Sequence, residues 1–428
     1  MKNRIWLLLI LALVLSGCAV PTVDQLYCVP DRPQSYSDME SVFDSAMTGL
    51  DYTAPKNGEN LQTIQMNDLD GDGVREYLIF ARSDSDKSLK ILVFGQVGEQ
   101  YVLTDTIECK GASFDQVEYV QMDGRGGTEL LVGTRISEQV YRSAVVYRYE
   151  AGEATQIMST SYAKFLTCDL NGNGRQELLV LKPGLTDEDL GTAALCWVEE
   201  EVGKRSNEVL LSCPVEHVDR IFAASLGDGH QGIFISGTDM SGGPVTDVLA
   251  QDGQLLRNAA LESATGTRVE QLGDYRLYPM DLDGDGVVEL PQVIKARDPK
   301  GASNQRIIRW YALDAQGGET EKGYTWHNME NGWYLFLEDS WVTNLRISTD
   351  TGVVRFHQAH PETGTVEEIF SIHTLTGQNR ETNAVIENRF ILHKGEQVIY
   401  AARLEVASGA LSISREDLVS RFRLDGQA

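Results

Sequence analysis

The sequence predicts a mainly β protein, and three observations carry that reading. Short runs of strand-forming residues recur along most of the 428 residues, glycine-rich acidic turns divide them, and the turns return at a nearly constant interval. In the first unit four strand-like segments follow one another: Leu61–Asn67, Glu76–Arg82, Ser88–Gly95 and Tyr101–Ile107. The turns begin at residues 68, 121, 169, 225 and 281. A period near fifty residues with several short strands per unit is the mark of a β-propeller, here of about five four-stranded repeats.

Three of the turns are nearly identical. They read Asp68-Leu-Asp-Gly-Asp-Gly-Val-Arg-Glu76, Asp169-Leu-Asn-Gly-Asn-Gly-Arg-Gln-Glu177 and Asp281-Leu-Asp-Gly-Asp-Gly-Val-Val-Glu289. Side-chain oxygens fall at positions 1, 3, 5 and 9: Asp68, Asp70, Asp72 and Glu76; Asp169, Asn171, Asn173 and Glu177; Asp281, Asp283, Asp285 and Glu289. Position 7 adds a backbone carbonyl, from Val74, Arg175 or Val287. Alternate oxygens on a curling chain suit calcium, a hard cation that takes six to eight of them in flexible geometry. Glycine at position 6 permits the positive φ such a curl needs. An EF-hand would place a bidentate Glu at position 12, where this chain has Ile79, Val180 or Gln292, and the flanks read as strands rather than helices. Asp, Asn and Gly are also ordinary turn residues, which would account for one such loop but poorly for three with the same spacing. The two Asn of the middle loop lower its charge, and with it the expected affinity.

Two eroded copies fill the gaps. Gln121–Glu129 keeps Asp123 and Glu129 but has Arg125 at position 5, where its guanidinium would stand in for an ion; Ser225–Ile233 keeps glycines and loses the ligands. Both read as metal-free turns. The Asp-x-Asp-Gly-Asp-Gly-x-x-Glu loop followed by an apolar strand resembles the FG-GAP/VCBS repeats of integrin-α-like propellers, over roughly residues 60–325. That family usually has Asp at position 9, so ligation by Glu76, Glu177 and Glu289 is less secure than by positions 1, 3 and 5. The resemblance implies calcium-stabilised blades over residues 61–326.

Past Trp326 the acidic loop disappears. Strand-like runs continue, among them Trp333–Leu337, Val353–Gln358 and Gln397–Arg403, and Ser414-Arg-Glu-Asp417 forms a capping box ahead of Leu418 and Phe422. Residues 327–428 therefore read as a small α+β domain; the alternative is two decayed blades closing a seven-bladed ring.

The first 17 residues have the build of a bacterial leader. Lys2 and Arg4 precede an apolar run from Ile5 to Leu15, too short to span a bilayer. Leu15-Ser-Gly-Cys18 then resembles the lipobox of bacterial lipoproteins, which implies cleavage before Cys18, its lipidation, a membrane anchor and a place in the cell envelope facing away from the cytoplasm. Residues 18–35 read as a tether. Residues 36–60 read as a lead-in whose helix, capped by Ser37-Asp-Met-Glu40, carries Met39, Phe43, Met47 and Leu50 on one face.

The formal net charge is −26, and losing Lys2 and Arg4 with the leader makes it more acidic still. That balance argues against nucleic acid as a partner. Five cysteines follow Cys18 without a C-x-x-C; Cys196 and Cys213 flank an expected turn at Lys204-Arg205, a placement open to a disulfide or to two buried thiols. Catalytic motifs are scarce: there is no G-x-S-x-G and no phosphate-binding loop. His357 and His360 are three apart on an expected strand and so face opposite ways. Trp310, Trp326, Trp333 and Trp341 are expected in the core. Two functions remain: a non-catalytic, calcium-stabilised surface module binding or scaffolding a protein or glycan, or a surface hydrolase or lyase acting on glycans.

Overall fold

The computed structural model describes residues 34–136, 142–186, 189–269, 271–272, 275–295, 306–405 and 413–425. The leader, Cys18 and nearly all of the tether lie outside the described residues.

Strand-rich sequence with frequent turns folds here into consecutive antiparallel meanders. The first sheet contains Leu50–Tyr52 and Ile64–Asn67, both paired with Glu76–Ser83, then Leu89–Val97 and Gln100–Cys109. The second runs Ser113–Val120, Glu129–Arg135, Arg142–Glu150, Glu153–Tyr162. The third runs Lys164–Cys168, Glu177–Lys182, Thr192–Glu199, with Val202–Arg205 and Val209–Leu210 sharing its last position. The fourth runs Val218–Ser225, Gln231–Thr238, Pro244–Asp252, Leu255–Asn258. The fifth runs Leu290–Lys295, Arg306–Leu313, Glu319–Asn328, Trp333–Leu337, and ends on Phe422–Leu424 from the C-terminus. The sixth orders Leu345–Asp350, Val353–His360, Thr365–Thr376, Val398–Leu404 and Phe390–Lys394. The fold is mainly β and propeller-like, as expected, with five loop-bearing repeats.

Sheets buried on both faces need unbroken apolar strands. Leu78, Ile79, Phe80 and Ala81 are all fully buried, as are Leu178, Leu179, Val180 and Leu181. The buried clusters join neighbours in order. Leu78 and Phe80 meet Phe114 and Val132; Leu131 and Val146 meet Leu178 and Val180; Leu179 and Leu195 meet Ile233 and Leu249; Phe234 and Val248 meet Leu290 and Tyr311. The far face of the first sheet meets not another sheet but the helix Gln34–Ala46, whose Phe43 packs on Phe94 and Tyr77 beside Met47, Ile79 and Leu92. The expected apolar face is thus present, but the helix begins before Ser37, so Ser37-Asp-Met-Glu40 lies inside it rather than capping it.

The C-terminal region is not set apart from the fifth sheet. Trp326, Trp333, Leu335 and Trp341 share one cluster with Phe356, Phe370, Ile372 and Leu418. The expected capping box is present: Ser414 Oγ accepts the Asp417 amide at 3.1 Å, and Asp417 accepts the Ser414 amide at 3.2 Å. The helix it starts, Arg415–Arg421, leads into the strand that pairs with Trp333–Leu337. Glu319–Asn328 runs across the boundary expected at 326/327.

A fragment of residues 328–428 would keep Trp333 and Trp341 but lose Trp326 and the strands that cover them. It is expected to lack a cooperative thermal transition and to bind a hydrophobic dye. A sharp near-ultraviolet melt of that fragment would show instead that 327–428 folds on its own.

Candidate metal centres

In the first three sheets the acidic loop joins the strand before it to the strand that the Glu opens, in the same register. In the fifth sheet the first strand shrinks to an isolated bridge at Met280, so Leu290–Lys295 takes the place of the second strand and Arg306–Leu313 that of the third. Asn67 pairs with Glu76, Val120 with Glu129, Cys168 with Glu177, and an isolated bridge joins Met280 to Glu289. The Glu at position 9 is therefore always the first residue after the turn, and it points beneath the loop. Glu76, Glu129, Glu177 and Glu289 are 3%, 3%, 2% and 0% exposed. One oxygen of each accepts the amide of position 2, from Leu69, Met122, Leu170 and Leu282 at 2.8, 2.7, 2.8 and 2.8 Å. The Glu fastens the turn, a role its placement as an uncertain ligand did not reveal.

The upper side chains shape the same turn. Asp68 accepts the amides of Gly71 and Gly73 at 2.8 and 3.0 Å, and Asp281 those of Gly284 and Gly286 at 2.8 and 3.0 Å. Asp70 and Asp72 accept the amides two residues on, as do Asp283 and Asp285. The position 7 amides of Val74, Arg175 and Val287 are held this way by Asp72, Asn173 and Asp285. Gly71, Gly73, Gly284 and Gly286 have φ of 77°, 88°, 80° and 86°, where a side chain would be strained.

The turns gather oxygens. Asp68, Asp70 and Glu76 bring carboxylate oxygens within 4.8 Å of one another, and so do Asp281, Asp283 and Asp285. Either trio could hold a metal ion, and an all-oxygen set suits a hard divalent cation. The middle loop forms no such trio: Asp169 caps the amides of Asn173 and Gly174, and the Asn171 amide donates to Glu177 at 2.5 Å. Burial above all pushes Glu76, Glu129 and Glu289 up to about 7, nearby aspartates add to the shift, and the position 2 amides oppose it. Glu177 is raised for the same leading reason.

The second loop differs from expectation. Its nearest internal cation is Arg148, whose Nε lies 2.6 Å from Asp123; Arg125 keeps a longer approach to Asp123, 3.9 Å, and turns the rest of its guanidinium outward to Glu201 and Glu150. In the fourth loop Asp228 accepts the amides of His230 and Ala315. Successive loops are also stitched together. The position 8 amides of Gln176 and Val288 donate to the position 1 carbonyls of Gln121 and Ser225, at 2.6 and 3.1 Å. Thr128, also at position 8, donates from its hydroxyl to the Asp68 carbonyl at 3.3 Å and to Asn67 at 2.6 Å. The backbones meet closely enough that a Cβ on Gly127 would fall 2.1 Å from the Leu69 carbonyl oxygen.

Beside the second and third loops lies a recess of about 510 Å³ lined by Asp123, Arg125, Arg148, Arg175 and Glu199–Glu201. A second, of about 240 Å³, is lined by Asn171, Gln176, Trp197, Gln251 and Gln254 among others. Cys196 and Cys213 do not face each other. The hairpin turns at Glu200-Glu201, Cys196 pairs with Arg205, and the two thiols are buried on opposite sides of the third sheet. His357 bonds Ser348 and His360 faces Glu367, so they do not share a site. Trp310, Trp326, Trp333 and Trp341 are core residues.

No protein-family model matches the chain, and no curated protein matches it. Among solved structures, a protein from Lactobacillus plantarum is similar at 12% identity over 74% of this chain and 85% of its own, with a TM-score of 0.30. An exotype rhamnogalacturonan lyase is similar at 13% identity over 75% and 65%, with a TM-score of 0.28. A proposed 6-phosphogluconolactonase of Bacteroides uniformis is similar at 11% identity over 72% and 95%, with a TM-score of 0.28. These likenesses assign neither substrate nor activity.

The buried Glu gives a pH signature. Glu76 sits near 7 when folded and near 4.5 in the unfolded chain. Its contribution is full below the unfolded value and is lost as pH rises through the folded one. In chelator, the wild type should therefore lose stability relative to Glu76→Gln between about pH 4.5 and 7. Denaturant melts across that range check it; a constant difference would mean the carboxylate titrates normally.

Proposed function

We propose that this chain is a calcium-stabilised binding module held at a bacterial cell surface, built from FG-GAP/VCBS-like repeats and carrying no catalysis of its own. The observation that supports it best is the convergence of oxygens in loops that tie adjacent sheets together. In this reading Ca²⁺ sits among Asp68, Asp70, Asp72, the Val74 carbonyl and Glu76, and in the corresponding sets Asp169, Asn171, Asn173, Arg175, Glu177 and Asp281, Asp283, Asp285, Val287, Glu289. The ion's work is structural. A ligand that binds only the native state at about 100 times its Kd adds about 2.7 kcal/mol per site. Extracellular modules often bind calcium at roughly 0.1–1 mM, a range suited to a protein outside the cytoplasm.

Lipid on Cys18 would place the module at the membrane surface, and the recess beside the second and third loops would take a protein or glycan partner. Its mixed carboxylate and guanidinium lining also suits a glycan substrate. Steady depolymerisation of a polysaccharide by the purified protein would move the reading to a surface hydrolase or lyase.

Chelation should lower Tm by several degrees, with calcium restoring it and magnesium doing so poorly, because magnesium prefers a smaller octahedral shell. Asp70→Ala with Asp72→Ala should lower Tm and remove the first loop's share of the response to chelator. A calorimetric melt indifferent to chelator and to these changes would make the loops plain turns.

Cys18→Ala should abolish detergent-phase partitioning and leave the protein released or unprocessed. Unchanged partitioning of that variant would rule out the anchor.

A further inference from the structure

In four of the five repeats the second strand begins at the buried Glu, so one residue on the third strand lies beside it. In the first sheet Tyr77 pairs with Phe94, which puts Gly95 there. In the second Leu130 pairs with Tyr147, which puts Arg148 there. In the third and fifth sheets the matching residues are Trp197 and Ala312, next to Cys196 and Tyr311. Arg148 uses the position to reach Asp123. Gly95 has no side chain to reach with, and a Cβ there would already meet Thr104 and the Tyr149 hydroxyl at 3.1 Å each.

A second position bears on the loops. The ladder between third and fourth strands slips at the same point in three sheets, after Val93 in the first, Val146 in the second and Trp310 in the fifth. Each slip leaves one unpaired residue on the fourth strand: Thr104, Ile157 and Lys322. A bulge bends its strand and re-aims the extra side chain. In the fifth sheet it aims Lys322 into the acidic loop, with Nζ 2.5 Å from Asp285 and 3.6 Å from the wholly buried Glu289. The Glu289 Oε1 it approaches is buried and makes no hydrogen bond among the described residues.

We propose that Lys322 is a built-in occupant of the loop Asp281–Glu289, which leaves the loop Asp68–Glu76 as the principal site for an exogenous divalent cation. This rests on the reading of the loops as calcium sites and divides them. The second loop carries Arg148, the third satisfies its Glu with the Asn171 amide, and the fifth carries an ammonium. Around the first loop, no Lys, Arg or His of the described residues pairs with Asp68, Asp70, Asp72 or Glu76. Its bulge residue is an uncharged threonine that bonds the Val93 carbonyl. Near-identical sequence in the first and fifth loops thus hides unequal charge. An ammonium already seated among the acids repels a second cation, and the repulsion is large at a few ångströms.

Calcium titration calorimetry on the full chain tests this. The wild type is expected to show one strong site, abolished by Asp70→Asn with Asp72→Asn and untouched by Asp283→Asn. Lys322→Gln should open a second site, tightening calcium binding at the fifth loop by at least about tenfold; adding Asp283→Asn should remove it again. Lys322→Arg should leave it closed. A Lys322→Gln protein that folds only with calcium supports the same conclusion. One that stays unfolded in calcium overturns it, because the vacated place has not been taken. Two equal wild-type sites, one lost on Asp283→Asn, would overturn the inference while sparing the calcium reading. No binding by any of these proteins would overturn both.

Discussion

The structure depends on a carboxylate buried under a turn. At four of the five repeats a Glu opens the second strand, accepts the amide of position 2 and loses nearly all contact with water. A buried carboxylate is costly unless charge or donors answer it. One amide meets only part of that need, so each loop must find something more. The repeats solve one electrostatic problem with different chemistry: a guanidinium, a side-chain amide, an ammonium, and in the first loop the place proposed for an ion. Because position 8 of the second, third and fifth loops bonds position 1 of the loop before, these solutions also steady the junctions between neighbouring sheets.

The stack grows by contact between consecutive sheets and ends differently on its two sides. Among the described residues, no buried apolar cluster joins the first sheet to the sixth. The N-terminal helix covers one end. On the other, Arg355, Arg389 and Arg403 interleave with Glu368, Glu387 and Glu405. Arrays of repeats commonly need atypical, more polar ends of this kind. Stability in such an arrangement is a sum of neighbour terms, so a weakened loop is felt first by the sheets beside it.

Much of this was legible in the chain. The period, the loop sites and the strands of the first unit follow from local composition, and Ser414 capping Asp417 is a short-range pattern that packing did not alter. Other features depend on strand pairing that no local pattern reports. Arg125 occupies a ligand position by spacing, yet Arg148 takes the role because it lies across the ladder from Glu129. Lys322 stands 37 residues beyond Asp285 in the chain, and the two meet because a bulge turns the lysine inward. Cys196 and Cys213 looked symmetric about a turn that in fact falls at Glu200-Glu201, both with positive φ, where Asn or Gly would be expected. The return of Phe422–Leu424 to the fifth sheet had no signal in the sequence beyond the apolar spacing of the last helix.

That return has a consequence for how the fifth sheet is completed. Everything from the end of Trp333–Leu337 to Arg421 is an excursion between two neighbouring strands of the fifth sheet. Without Phe422–Leu424 in place, Trp333–Leu337 is an open edge beside a cluster of tryptophans, a surface that proteases and chaperones recognise. Docking of that strand therefore ties the whole excursion back to the sheet it leaves. A chain that lacks Phe422–Leu424 keeps every acidic loop and nearly every strand, and still displays that apolar edge.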